Sequence, residues 1–244
     1  MPALRLRGRT ALPSALALAL AVSLVAVATG RSAGPVVVKP AQELALLLEP
    51  HAAMSAPRKH AVVLEVVAAR RPLTAERTAL PVVGHATGAD GVKWLHVLLP
   101  GRPNGRTGWI RKRATASAVT RWGIVVDTAT RRVIVYDKGR AVRAFKAVVG
   151  KPSTPTPRGR FFVEEAVQLR PGDVGAPFAL ALSARSNVFQ EFAGGPGQVA
   201  LHGLMNVGGV LGTAASHGCV RLANDAMRWL VRRIGPGVPV TITG

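Results

Sequence analysis

Two short runs, Leu201-His202-Gly203 and Ser216-His217-Gly218-Cys219-Val220-Arg221, hold the side chains best suited to covalent chemistry. Cys219 is the single cysteine in 244 residues, so it closes no internal disulfide. A thiol attacks a carbonyl only as thiolate, which calls for a neighbouring base or cation to favour the ionised form. His217 lies two residues from the sulfur and faces the same side if the segment is extended, although the intervening glycine loosens that geometry. His202 reaches the sulfur only through the fold, so spacing alone leaves the choice of base open. Gly218 allows a sharp turn that aims the amides of 217 to 219 at an oxygen gaining charge. Arg221 adds a fixed cation able to hold a carboxylate or backbone carbonyls.

Other readings of the same residues carry less weight. A lone cysteine is ordinarily a small buried hydrophobe, but one flanked by two histidines and two glycines reads as a nucleophile. A zinc site from His202, His217 and Cys219, with Asp225 as a fourth ligand, matches no familiar metal spacing, and no metal is expected. Ser216, beside a better nucleophile, reads as a hydrogen-bonding partner.

The elements that must position these groups are mostly strands. In the first half, Ala61 to Val67, Leu80 to Val83, Lys93 to Leu99 and Thr107 to Ile110 are strand-like, with Asn104-Gly105 as a hairpin signal. Trp94 and Trp109 read as core of a small barrel, and His85 and His96 as satisfied polar residues. In the second half, Gly123 to Asp127, Arg132 to Tyr136, Ala141 to Val149, Phe161 to Val163 and Val238 to Ile242 are strand-like. Leu222 to Ile234 reads as a helix capped by Asn224 or Asp225 and stopped at Gly235-Pro236. The expected fold class is mainly β with a few short helices: a linker over 31–58, a small barrel over 59–115 and a β-rich catalytic domain over 120–244. The prolines at 35, 40, 50 and 57 argue for the linker, with one helical turn near Leu44 to Leu48.

Charge and leader bound the setting. Thirty-two Lys and Arg against twelve Asp and Glu give a net charge of +20, which favours anionic surroundings. The basic residues are dispersed and no nucleic-acid-binding motif accompanies them, so nucleic acid is not an expected partner. Arg5, Arg7 and Arg9 precede an uncharged run from Leu12 to Ala28 ending in small residues, the layout of a secretory signal peptide over 1–30. A retained membrane tether is the competing reading, and either one delivers the chain outside the cytoplasm.

From residue 121 onward the chain resembles the YkuD-type L,D-transpeptidase domains of bacterial wall synthesis. The resemblance rests on the opening hairpin, on Val149-Gly150-Lys151 with Thr154-Pro155-Thr156-Pro157-Arg158-Gly159-Arg160-Phe161, on Leu201-His202-Gly203, and on Ala215-Ser216-His217-Gly218-Cys219-Val220-Arg221-Leu222. Trp94 to Ile110 is similar to the bacterial SH3-like domains that accompany wall enzymes. The resemblance implies Cys219 as nucleophile and His202 as general base and acid, its imidazole oriented by the Gly203 carbonyl. It further implies that His217 and Gly218 shape the oxyanion hole and that Ser216 and Arg221 brace the loop or touch substrate. The implied substrates are peptidoglycan stem tetrapeptides, joined 3→3 through a thioester without a cofactor, among anionic wall polymers. The chain is expected to act as a monomer.

Overall fold

The computed structural model describes residues 36–191 and 194–244, so the leader expected over 1–30 lies outside the described residues. The first sheet comprises β1 (Gln42–Leu47), β2 (His51–Met54), β3 (Val63–Val67), β4 (Ala79–Thr87), β5 (Lys93–Leu98), β6 (Thr107–Arg111) and β7 (Thr115–Thr120). Its order is β3-β2-β6-β5-β4-β1-β7, and every pairing is antiparallel. Leu47, Leu80, Val97 and Ile110 are fully buried in its core. Trp94 joins that interior, while Trp109 is half-buried and stacks on His96 at 4.4 Å. His96 also bonds Thr107 and His85 pairs with Glu43, each at 2.8 Å.

The reading of 31–58 as a linker is corrected, because β1 and β2 fall inside it. Pro40 and Pro50 flank β1 rather than interrupt it, which is where a strand tolerates proline. The apolar patch taken for a helical turn is instead a strand bonded on both edges, to β4 and to β7. Backbone pairing and burial of Leu44, Ala45 and Leu47 outweigh the local turn signals.

The second half contains β8 (Trp122–Asp127), β9 (Arg132–Asp137), β10 (Arg140–Lys146), β11 (Val149–Gly150), β12 (Gly159–Gln168), β13 (Phe178–Arg185), β14 (Gln198–His202), β15 (Ala214–Ser216), β16 (Val220–Arg221), α1 (Asn224–Val231) and β17 (Pro239–Thr243). Eight of these strands form one sheet in the order β10-β9-β8-β17-β12-β13-β14-β16, and β11 pairs with β15. The fold is thus mainly β, with α1 the one helix among the described residues. That helix buries Ala226, Met227 and Leu230. Its N-cap is Ala223, which offers no side-chain bond, and the Asn224 side-chain Oδ1 accepts the Leu204 N–H at 2.9 Å. The expected Asn224 or Asp225 cap is therefore corrected, and Asn224 instead ties the helix to the chain leaving β14.

Strand β12 joins the two halves. Side chains alternate across a strand, and Phe161 enters the second core while its neighbour Phe162 enters the first. Glu164, fully buried, pairs with Arg71 from the first half and with Arg185 at 3.0 Å. Glu165 accepts the N–H groups of Leu73 and Thr74 at 3.1 and 3.0 Å.

Candidate active site

Parallel pairing of β14 with β16 sets Leu201 opposite Val220 and His202 opposite Arg221. Cys219 directly precedes β16, and with residues alternating in facing, His202, Cys219 and Arg221 lie on one face of the pair. Strand spacing and rise put the His202 and Cys219 Cα atoms about 8 Å apart on that face, a span that an imidazole and a thiol cover together. All three side chains line one cleft of about 390 Å³, together with His217, Phe189 and Asn206.

The imidazole is held by backbone. His202 Nδ1 bonds the Gly203 carbonyl at 2.8 Å. Nδ1 therefore carries the proton and Nε2 is left as an acceptor. Gly203 in turn donates its N–H to the Gly175 carbonyl at 2.8 Å. A side chain at 203 would overlap the Ala176 carbonyl oxygen, which is why glycine stands there. Gly175, at φ +85°, lies under the ring and holds it from the other side.

Ser216 organises the turn that carries the thiol. Buried from solvent, its hydroxyl donates to the Cys219 carbonyl at 2.5 Å and accepts the Gly218 N–H at 3.1 Å. The Ser216 carbonyl accepts from the Lys151 N–H at 3.0 Å and the Thr154 hydroxyl at 3.2 Å. Thr156 fixes the same loop through the Gly150 N–H at 2.9 Å. The Val149-to-Arg160 motif thus forms the floor beneath the Ser216–Cys219 turn. Gly218, at φ +122°, provides a backbone conformation that side-chain-bearing residues rarely adopt. Its expected contribution of an oxyanion-hole amide is corrected: that N–H is committed to Ser216, so Gly218 shapes the loop without donating to a substrate. His217 is exposed at the mouth of the cleft, its ring 6.2 Å from that of Phe189.

Burial and one nearby cation act on both reacting groups. Burial pushes the Cys219 thiol above its usual range, opposed by a bond from the Ala200 backbone and by the Arg221 cation. Burial likewise lowers His202, the Gly203 carbonyl opposes this, and Arg221 lowers it further. Burial thus favours the neutral form of both groups, while Arg221 favours thiolate over thiol and imidazole over imidazolium. Arg221 is held by the Gly208 carbonyl at 3.3 Å and by backbone exchange with Val148 at 2.9 Å in both directions. Its buried Nε has no hydrogen-bond partner among the described residues. Among those residues no group of three or more His, Cys, Asp or Glu side chains is gathered to hold a metal ion.

Sequence reasoning missed Gly175, Ala200, Phe189 and Asn206. Gly175 sits in a Pro- and Gly-rich stretch that reads as an ordinary loop, and the Ala200 contribution is purely backbone.

Comparison with known proteins bears on the same half of the chain. The profile of the YkuD family, described as the L,D-transpeptidase catalytic domain, matches residues 121–242. A curated relative, the putative L,D-transpeptidase YkuD of Bacillus licheniformis, is 30% identical over 120 residues, covering 49% of this chain and 64% of its own length. L,D-transpeptidase 1 of Mycobacterium tuberculosis is 28% identical over 132 residues, covering 49% of each. The chain thus spans less than two thirds of the length of either relative. A solved Enterococcus faecium L,D-transpeptidase shows 25% identity, a TM-score of 0.36, and coverage of 49% of this chain and 48% of that one. With the profile spanning half of the chain, His202 and Cys219 included, the chain belongs to the YkuD family of L,D-transpeptidase catalytic domains.

Proposed function

We propose that this protein is a cysteine-dependent L,D-transpeptidase acting on peptidoglycan stem tetrapeptides. The observation that carries the reading is the placement of His202 and Cys219 on one face of the β14–β16 pair, open to one cleft, with Nδ1 committed to the Gly203 carbonyl.

The thiol proton passes from Cys219 Sγ to His202 Nε2 as the sulfur attacks the carbonyl joining the third residue of a stem to its terminal D-Ala. The oxyanion that forms meets the Cys219 N–H and the field of Arg221. Collapse breaks the peptide bond, His202 returns the proton to the departing D-Ala amine, and a thioester remains. The side-chain amine of a second stem then attacks the thioester, loses its proton to His202 and frees the thiol, leaving a 3→3 cross-link. Aminolysis draws on the energy of the thioester, so no cofactor is required. The proton transfer takes place in a cleft where Arg221 favours the thiolate. The net charge of +20 suits a setting of carboxylate-bearing stems and wall anions outside the cytoplasmic membrane. Within it the SH3-like first half serves as an accessory domain.

Intact-mass measurement after incubation with a carbapenem tests the nucleophile. Wild type is expected to gain one adduct and Cys219→Ala none, and equal labelling of both would overturn the assignment. Incubation with disaccharide-tetrapeptides then separates the acceptors: a cross-linked dimer supports transfer, whereas tripeptide alone would make the enzyme a carboxypeptidase.

A further inference from the structure

The turn between β5 and β6 does more than reverse the chain. It reaches out of the first sheet and grips a segment of the second half. Arg102 Nη2 donates to the carbonyls of Ser186 and Phe189 at 2.9 and 2.8 Å, and Nη1 donates to that of Pro196 at 3.0 Å. Asn104 donates to the Arg185 carbonyl at 2.7 Å and accepts the Arg185 N–H at 2.8 Å, a two-way bond resembling strand pairing. Gly101 N–H adds a bond to the Ser183 carbonyl at 3.2 Å.

The gripped segment forms one wall of the cleft. Ser186, Phe189, Gly197 and Gln198 line the same space as Cys219 and His202. The segment folds back on itself, with Ser186 N–H bonded to the Gly197 carbonyl at 2.7 Å. A side chain at Gly197 would stand 3.1 Å from Arg102 Nη2, so the guanidinium is inserted where the two ends of the wall converge. A planar guanidinium can serve three carbonyls at once in fixed directions, whereas an ammonium on the same stem cannot reproduce that fork.

We propose that Arg102 is a positioning residue for the reaction at Cys219: by holding the wall formed by Ser186, Phe189 and Gly197, it sets the width of the cleft that receives the acyl-donor peptide. The first half of the chain thereby takes part in donor recognition without touching substrate. This rests on the function proposed above. It predicts a defect in peptide capture, not in the intrinsic reactivity of the thiol, because Arg102 contacts neither Cys219 nor His202.

The test uses the full chain with Arg102→Ala and Arg102→Lys, the lysine variant keeping charge and stem in case the alanine variant folds poorly. Four quantities are measured: thermal midpoint, alkylation of Cys219 by iodoacetamide across pH, carbapenem acylation, and the concentration dependence of acylation by tetrapeptide. Both variants are expected to lose about tenfold in second-order acylation by tetrapeptide, carried by the apparent KM, since sub-ångström wall displacement degrades capture. Alkylation and its pH profile stay as in wild type, and guanidinium at non-denaturing concentration partly restores Arg102→Ala. Acylation within twofold of wild type in a folded variant would overturn the proposal. So would a parallel loss of alkylation, which would mean that the whole site had moved. Failure of wild type itself to acylate at Cys219 would instead strike the function on which the proposal rests.

Discussion

Gly175 lies directly against the imidazole of His202, so close that a Cβ at 175 would stand 2.5 Å from Nδ1 and 2.9 Å from Cγ. The glycine is also at positive φ, where a side chain adds backbone strain. Gly175→Ala must therefore push the ring off the Gly203 carbonyl or move the loop. The expected result is a loss on the order of a hundredfold in carbapenem acylation, with the circular dichroism spectrum retained. Acylation at the wild-type rate in the alanine variant would show that the ring does not depend on this support.

Arg221 acts on both partners with the same sign. It favours neutral His202 and thiolate Cys219, whereas burial, the larger influence, lowers the first and raises the second. As pH falls through the lowered His202 pKa, the imidazole becomes protonated and can no longer take the thiol proton. Acylation of wild type should therefore persist below the ordinary imidazole value of about 6.5. Arg221→Gln removes a cation, so the His202 pKa rises and the acid limb of the acylation profile moves to higher pH. The alkylation limb of Cys219 also moves to higher pH, because the thiolate loses the same cation. Movement of either limb toward lower pH would contradict this assignment.

Ser216 ties the Gly218 N–H to the Cys219 carbonyl through one hydroxyl. Ser216→Ala leaves the buried amide without a partner, at a cost of about 1–3 kcal/mol. Urea unfolding should register that loss, and acylation should fall about tenfold as the turn relaxes. A variant as stable and as active as wild type would mean that the turn holds its shape without the hydroxyl.

Glu164 sits between Arg71 and Arg185 with no solvent access to its side chain. Replacing it by Ala removes the carboxylate between two guanidinium groups, leaving Arg71 with Glu165 at 4.0 Å and Arg185 with the Leu182 and Ala184 carbonyls, a buried change that typically costs about 3–5 kcal/mol. Thermal denaturation should show a drop of that order, and a change under 1 kcal/mol would place solvent at the junction. Hydrophobic replacement of all three residues together is expected to be much milder.

The chemistry of the site was legible because it sits in short contiguous motifs. Cys219 stands out by its immediate neighbours, whereas the roles of His202 and the Gly203 carbonyl were implied only by the family resemblance, and it is the pairing of β14 with β16 that brings the two motifs side by side. What the sequence concealed depends on backbone approach. Gly175 is an unremarkable loop glycine until the fold sets it under a ring. The amide of Gly218 looked available until the Ser216 hydroxyl, a residue type that readily bonds nearby backbone, was found on it. Strands β1 and β2 were hidden by prolines that mark their ends. Strand β13 was hidden by alanines, weak in strand propensity, at Ala179, Ala181 and Ala184. The grip of Arg102 on a segment more than eighty positions away leaves no local trace at all.

Adjacent phenylalanines on β12 feed separate interiors, Phe161 one and Phe162 the other. Withdrawing that strand would expose an aromatic ring in each half, which couples the stability of one to that of the other. The described residues of this compact unit are therefore expected to unfold together in a thermal scan. A molecule held by the first sheet would then stay at a constant offset from the sulfur, like work held on a short rigid handle.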